Sequence, residues 1–164
     1  MVDSLLAFSR VQGGQHELLP LDFSQLVRQE VDELQRFTSW RGRRVDVEIA
    51  PGAIVTGSAQ GLTILVRNIV ANALKFTPDT GAVKVSVTRD PRGVSLRVAD
   101  TGPGIPDAQK EKVFDRFFKG QKSNASGSGL GLSIVKWIAN LHGAEIALSD
   151  NTPTGLVFEV RFKS

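Results

Sequence analysis

Apolar positions along this chain recur with two periods, one near 3.6 residues and one of two, and the alternation of these periods outlines the elements. Leu5, Leu6, Phe8 and Val11 sit among polar neighbours in 1–12, which reads as the end of an amphipathic helix stopped by Gly13-Gly14. A second helix is predicted from a cap at Asp22 or Ser24, with Leu26, Val27, Val31, Leu34 and Phe37 on its inner face. Val45, Val47 and Ile49 alternate with Asp46 and Glu48, the pattern of a half-buried strand. After Ser58 a long helix runs to about Phe76, with Leu62, Leu65, Val66, Ile69 and Ala73 in one stripe. Strands at 82–90 and 94–99 flank Asp90-Pro91-Arg92-Gly93, which is turn chemistry, so the pair is a hairpin. Residues 107–118 are expected to hold a short helix and an aromatic cluster, and 119–129, rich in Gly, Ser, Asn and Lys, to be a loop. Leu130, Ile134, Val135, Ile138 and Leu141 mark a helix ending at Gly143, and two strands follow at about 144–149 and 156–162. Helices interleaved with antiparallel strands give an α+β fold, a two-layer α/β sandwich, and not a doubly wound sheet.

Composition narrows the chemistry. The 164 residues suit one domain, and the Lys and Arg total of 20 against 17 Asp and Glu leaves a net charge of only +3. With no Tyr and so small an excess of cations, a nucleic-acid surface is not expected. The absence of Cys excludes disulfides, thiolate metal sites and thiol nucleophiles, and two His leave little for a zinc site. No run approaches the ~18 apolar residues of a membrane span. The 16 Gly are the informative residues.

Three polar groupings carry candidate chemistry. Asn68, Asn72 and Lys75 fall at i, i+4 and i+7, on one face of the long helix and on the flank of its apolar stripe. Amide oxygens suit Mg²⁺ and an ammonium suits phosphate, although a solvated helix face has the same look. Asp100-Thr101-Gly102-Pro103-Gly104 follows a strand directly. It reads as a fixed acceptor for an exocyclic amine beside backbone that a flat ligand can approach, or as a plain turn with a surface Asp. Gly127-Ser128-Gly129-Leu130-Gly131-Leu132 opens a helix, where bare backbone N–H groups and the helix dipole suit an anion. It is neither the dinucleotide fingerprint, since Leu132 stands where the third Gly belongs, nor a P-loop. Lys119 and Lys122 precede it and could cover phosphates.

Taken together, in this order and spacing, these groupings resemble the N, G1, F and G2 boxes of the sensor histidine kinase catalytic ATP-binding domain, whose Bergerat-type fold is shared with gyrase, Hsp90 and MutL. The N box is Asn68 to Pro78, the G1 box Asp100 to Gly104, the F box Phe114-Asp-Arg116-Phe117-Phe118 and the G2 box Gly127 to Leu132. The resemblance covers about residues 20–163. It implies a mixed, mostly antiparallel sheet with helices on one face, and it implies the ligands ATP and Mg²⁺. Asn72 would hold the metal with Asn68 assisting, and Lys75 would touch phosphate. Asp100 would bond the adenine amino group, with Gly102 and Gly104 admitting the ring. Arg116 and Lys119 would approach the β- and γ-phosphates, and Gly127, Gly129, Leu130, Gly131 and Leu132 would line the phosphate channel. Phe114, Phe117 and Phe118 are expected to be packing residues. The last strand of the family opens with Gly-Thr where this chain has Gly155-Leu156, so a hydroxyl role falls to Thr152 or Thr154, if to either.

ATPases of this fold place Glu where Asn68 stands. An amide cannot take a proton from water at neutral pH, so transfer to a supplied nucleophile is favoured over hydrolysis. The resemblance further implies a histidine acceptor, and a neutral imidazole is already nucleophilic near pH 7. His16-Glu17-Leu18-Leu19-Pro20 only superficially matches a phosphoacceptor box, being one residue short, and His142 reads as a cation at a helix C-terminus. The acceptor is therefore expected upstream of Met1. Residues 1–15 are expected to be the tail of a dimerisation and phosphoacceptor hairpin with its linker, and 16–164 the ATP-binding domain. The chain alone should be a monomer that binds ATP without phosphorylating itself well. The full-length protein should be a homodimer, cytoplasmic in this part and anchored as an inner-membrane sensor, that passes phosphate to a response-regulator Asp. The alternatives are a non-catalytic nucleotide-binding interaction module and an ATPase of the same fold. Trp137 is expected in the core, and Trp40 with Arg41, Arg43 and Arg44 in a solvated turn.

Overall fold

The computed structural model describes residues 17–36, 42–120 and 128–164, together with Ser9. The expected 1–12 helix, its boundary at residue 16, His16, Phe37, Trp40, Arg41, Lys122 and Gly127 lie outside the described residues.

Alternating side chains build the sheet. Strands β2 (Arg44–Ile49), β4 (Ala82–Asp90), β5 (Gly93–Asp100), β6 (Glu145–Asp150) and β7 (Leu156–Lys163) form a five-stranded sheet in the order β2-β4-β5-β7-β6. Only the β2–β4 pair is parallel, so the sheet is mixed and mostly antiparallel. Register places Val85 opposite Val98 and Val98 opposite Phe158, while Val87, Leu96 and Val160 form the next row. Those rows are buried, whereas the neighbouring rows carry Ser86, Arg97 and Glu159 to the other face. The hairpin turn closes as its sequence implies, with the Arg92 N–H donating to Asp90 Oδ1 at 2.8 Å.

Three helices cover the apolar face and share one core with it. Helix α1 (Phe23–Gln35) is capped by Asp22, whose Oδ1 accepts from Gln25 N at 3.0 Å, and it buries Phe23, Val27, Val31 and Leu34. Helix α2 (Ala59–Phe76) is capped by Ser58 through Gly61 N at 3.1 Å, and it buries Leu62, Leu65, Val66, Ile69, Val70, Ala73 and Leu74. Helix α3 (Gly131–Leu141) contributes Ile134, Val135, Ile138 and Ala139, and Trp137 is half-buried against the same core. At ~25 cal/mol per Å² of apolar area removed from water, each fully buried Leu or Val contributes about 1.5–3 kcal/mol.

Four features differ from the sequence expectation. A second, two-stranded sheet pairs β1 (Leu19–Asp22) with β3 (Ile54–Gly57), antiparallel, and closes the edge of the core beside α1. In 107–118 there is no regular helix but two single 3₁₀ turns, Asp107–Gln109 and Lys112–Phe114, and of this stretch only Phe114 packs against the core cluster. Arg43 is not solvated: its Nε donates to Thr77 O at 2.8 Å and its guanidinium pairs with Asp79 at 3.2 Å, fastening the end of α2. His142 is not a helix-end cation. Nε2 accepts the Ser58 N–H at 3.0 Å and Nδ1 lies 2.7 Å from Ile138 O, which puts the proton on Nδ1 of a neutral ring. That ring ties the start of α2 to the end of α3, and Gly57 makes room for it, because a Cβ there would lie 2.6 Å from His142 Cδ2.

Candidate functional site

One end of the sandwich collects the polar residues that cannot be core. Helix α2 passes along it with Asn68, Asn72 and Lys75 half-buried on the flank of its apolar stripe. Asn68 Nδ2 donates to Ile64 O at 2.8 Å, which directs its other amide atom, Oδ1, towards α3. A Cβ on Gly131, the first residue of α3, would lie only 2.9 Å from that oxygen. The side-chain amide of Asn72, one turn further, makes no hydrogen bond with any described residue and is open to a ligand. Burial first, and the charge of Lys119 second, push the Lys75 ammonium below its ordinary value of 10.5. Two cations brought close enough to repel form a place where an anion lowers the energy of both.

At the end of β5, Asp100 is only 6% exposed. Its Oδ1 accepts from Gly102 N at 2.8 Å and from Leu156 N at 3.2 Å. No hydrogen bond falls on Oδ2 from any described residue, and that atom is not sealed from solvent. Desolvation raises the Asp100 carboxyl above its ordinary 3.8, against the lowering effect of the two backbone bonds. The site thus holds a poorly hydrated acceptor with one oxygen fixed and one available.

Glycines let backbone crowd around it. A Cβ at Gly102 would meet Phe76 O at 2.7 Å, so the end of α2 touches the loop after β5 directly. Gly155, at φ +114°, approaches Asp100 O so closely that a Cβ would sit 1.8 Å from it. Gly104 lies against Gly155 in turn. Two side chains hold this loop from the β6–β7 connection: Asn151 Nδ2 donates to Asp100 O at 2.7 Å, and Thr154 Oγ1 to Gly102 O at 2.9 Å. The Thr154 hydroxyl is therefore engaged with backbone. Phe76, half-exposed with Lys75 Nζ 5.4 Å from its ring centroid, also borders this loop.

The described residues expected to line a phosphate channel, Gly129 to Leu132, lie at and just before the start of α3. Helix α3 has Leu130 at its N-cap with no side-chain capping bond, which leaves backbone donors at Gly131 and Leu132 for an anion. Leu130 itself is buried and Leu132 is packed against the core, so both contribute backbone and not side chain. Gly129, at φ +69°, accepts the Phe117 N–H at 3.0 Å through its carbonyl, joining the F and G2 segments. Arg116 and Lys119 are exposed on the F segment. The aromatic trio divides: Phe114 stacks edge-on against Phe158 at 6.1 Å and Phe118 is half-buried, but Phe117 is 69% exposed at φ +63°. The left-handed residue turns that ring outward, which corrects the expectation that all three pack.

The structure thus connects Asn68 to Gly131, Lys75 to Lys119, and Asp100 to Gly102 and, through Gly155, to Gly104. Sequence reading gave no role to Asn151 or Phe76, and neither carries a local pattern that would mark it. Among the described residues no three His, Cys, Asp or Glu side chains cluster to hold a metal. A divalent cation here would need oxygen ligands from amides, phosphate and water. The open Asn72 amide and the inward-facing Asn68 oxygen fit Mg²⁺, which keeps several waters and takes few protein ligands.

Comparison with known proteins agrees with this geometry. Residues 57–164 match the family model described as "Histidine kinase-, DNA gyrase B-, and HSP90-like ATPase". The signal transduction histidine-protein kinase/phosphatase MprB of Mycobacterium sp. (strain KMS) is 35% identical over 160 residues, covering 94% of this chain and 30% of the relative. The chain thus spans about a third of the length of the curated relatives it matches. Among solved structures, a mycobacterial sensor histidine kinase MprB superposes with a TM-score of 0.80 at 30% identity, covering 89% of this chain and 97% of that one. Full-length ShkA in complex with AMPPNP superposes with a TM-score of 0.81 at 25% identity, covering 99% of this chain and 35% of that one.

Proposed function

Because this chain belongs to the histidine kinase-, DNA gyrase B- and HSP90-like ATPase family, as an ATP-binding domain of the histidine kinase type, we propose that it binds ATP with Mg²⁺ and presents the γ-phosphoryl group to a histidine supplied by a dimerisation segment. The observation that carries this reading is Asp100: a carboxylate withdrawn from water, fixed through Oδ1 beside Gly102 and Gly155, with Oδ2 bonded to no described residue. We place a slot for the base on that Oδ2 side. Oδ2 accepts the adenine 6-amino group, and Gly102 and Gly104 let the ring lie close to the backbone. Lys75 and Lys119 neutralise phosphate oxygens, Arg116 reaches them from the same segment as Lys119, and the N-terminus of α3 with Gly129 and Gly131 lines their channel.

Asn72 and Asn68 would hold Mg²⁺, which would supply positive charge against the phosphate oxygens. The chain's own contribution is positioning and charge neutralisation. The imidazole lone pair forms the new P–N bond as the bond from phosphorus to the β,γ-bridging oxygen breaks, and ADP leaves with that electron pair. Asn68 supplies no base for water, which keeps the γ-phosphoryl for the histidine. In the intact protein we place this domain in a homodimer with its own phosphoacceptor hairpin, feeding a response-regulator Asp and anchored at the inner membrane. No helix among the described residues is long and apolar enough to cross a membrane. Residues 1–15 are assigned to the end of that hairpin.

The test is a calorimetric titration with ATP, with and without Mg²⁺, followed by transfer of labelled γ-phosphate to an added hairpin fragment. Binding that strengthens with Mg²⁺ and label on the hairpin histidine are the expected results. Binding without transfer would support the interaction module instead, and steady hydrolysis by the domain alone would support an ATPase.

A further inference from the structure

The β6–β7 connection does more than reverse the chain. It closes on itself without help: Asn151 N donates to Gly155 O at 3.0 Å, and Thr152 N to Asn151 Oδ1 at 3.0 Å. Two of its side-chain donors, Asn151 Nδ2 and Thr154 Oγ1, turn to the loop after β5, onto the carbonyls of Asp100 and Gly102. The ladder between β5 and β7 has already ended there, its last pair being Ala99 with Val157. The Asn151 amide therefore takes over where the backbone ladder stops, at the residue whose carboxylate faces the slot. Asp100 is held at three points, by Leu156 N, Gly102 N and Asn151 Nδ2, and two of these belong to the β6–β7 connection and the strand it leads into.

Resting on the reading of Asp100 as the base acceptor, we propose that Asn151 and Thr154 are positioning residues for purine selection. They pin the carbonyls on either side of Thr101, so that Oδ2 stands where it accepts from a 6-amino group and repels a 6-oxo group. A carboxylate free to retreat would lose part of the first interaction and would also soften the second. Discrimination between the two purines therefore depends on the clamp, and the triphosphate end of the site does not.

The experiment compares Thr154→Val, Asn151→Asp and Thr154→Ser with the wild type. Dissociation constants are measured for ATP, inosine triphosphate and tripolyphosphate, all with Mg²⁺, after thermal melts confirm folding. The loss of one such hydrogen bond is expected to weaken ATP about fivefold. Inosine triphosphate should change less and tripolyphosphate not at all, so the ATP preference falls, while Thr154→Ser retains it. Equal losses for ATP and inosine triphosphate, or an unchanged preference, would overturn the clamp and leave ATP binding standing. A wild type that binds no ATP would overturn the function proposed above. If Asn151→Asp does not fold, Thr154→Val decides alone, because that side chain sits at the surface of the connection.

Discussion

Replacing Asp100 by Asn is the sharpest perturbation this structure offers, because it alters one atom at the slot and little behind it. Oδ1 is the atom that accepts from Gly102 and Leu156, and Asn retains it, so both backbone bonds survive. Oδ2 becomes an NH₂ group facing the 6-amino group of adenine, donor against donor. The interaction lost is a charge-assisted hydrogen bond, about 1.5–3 kcal/mol, or roughly tenfold to a hundredfold in dissociation constant. Inosine triphosphate, with an acceptor at position 6, should lose nothing and gain relative to ATP. Stability should move the other way. The raised pKa means that the unliganded protein has extra stability below the ordinary 3.8, lost as pH rises through the raised value. Asn carries no charge at any pH, so Asp100→Asn should match the wild type in acid and melt higher at neutral pH. Calorimetry with the two nucleotides and melts across pH read both effects. An ATP affinity within twofold of wild type, in a folded variant, would refute the assignment of Oδ2.

Other perturbations separate fold from site. Gly155→Ala drives a Cβ to 1.8 Å from the Asp100 carbonyl at a left-handed φ, and should destabilise the domain by about 2–4 kcal/mol in urea unfolding, with ATP binding lost alongside. Gly131→Ala meets only the Asn68 side-chain oxygen, at 2.9 Å, which can rotate away. It should leave the melting temperature nearly unchanged while reducing the gain in ATP affinity that Mg²⁺ brings, as titrations with and without the metal would show. Lys119→Gln removes one of two mutually repelling cations. It should weaken ATP a few-fold at low salt and flatten the dependence of affinity on ionic strength, since exposed charges are screened. A salt dependence equal to that of wild type would separate Lys119 from the phosphates.

The parts of the molecule that could be read from the sequence are those governed by local rules. Asp22 and Ser58 cap their helices as their side chains dictate, and the valines of β4 and β5 alternate into the core. Asp100 stands at a strand end because the Val94-Leu96-Val98 alternation ends two residues before it. What escaped depends on partners distant in the chain. Leu19-Pro20-Leu21 is too short, and too interrupted by Pro, to announce a strand, and it becomes one only because Ile54–Gly57 lies beside it. Phe117 shares its composition with Phe114 but not its backbone, and a positive φ reverses its direction. Asn151 and Thr154 act on carbonyls 51 and 52 residues away, which no spacing rule detects.

That separation has a consequence for how the protein comes into being. The helix of the N box and the strand carrying Asp100 leave the ribosome well before β7, yet Asp100 is anchored by Leu156, 56 residues later, and walled by Gly155. The slot proposed beside Asp100 therefore has no counterpart in any shorter nascent chain. Long-range strand pairing is slow, so the slot is among the last features to form during synthesis. Nucleotide capture then becomes a signature of completed folding: ATP stabilises only the finished domain, and a chain truncated before β7 should be unable to use the ligand to rescue itself.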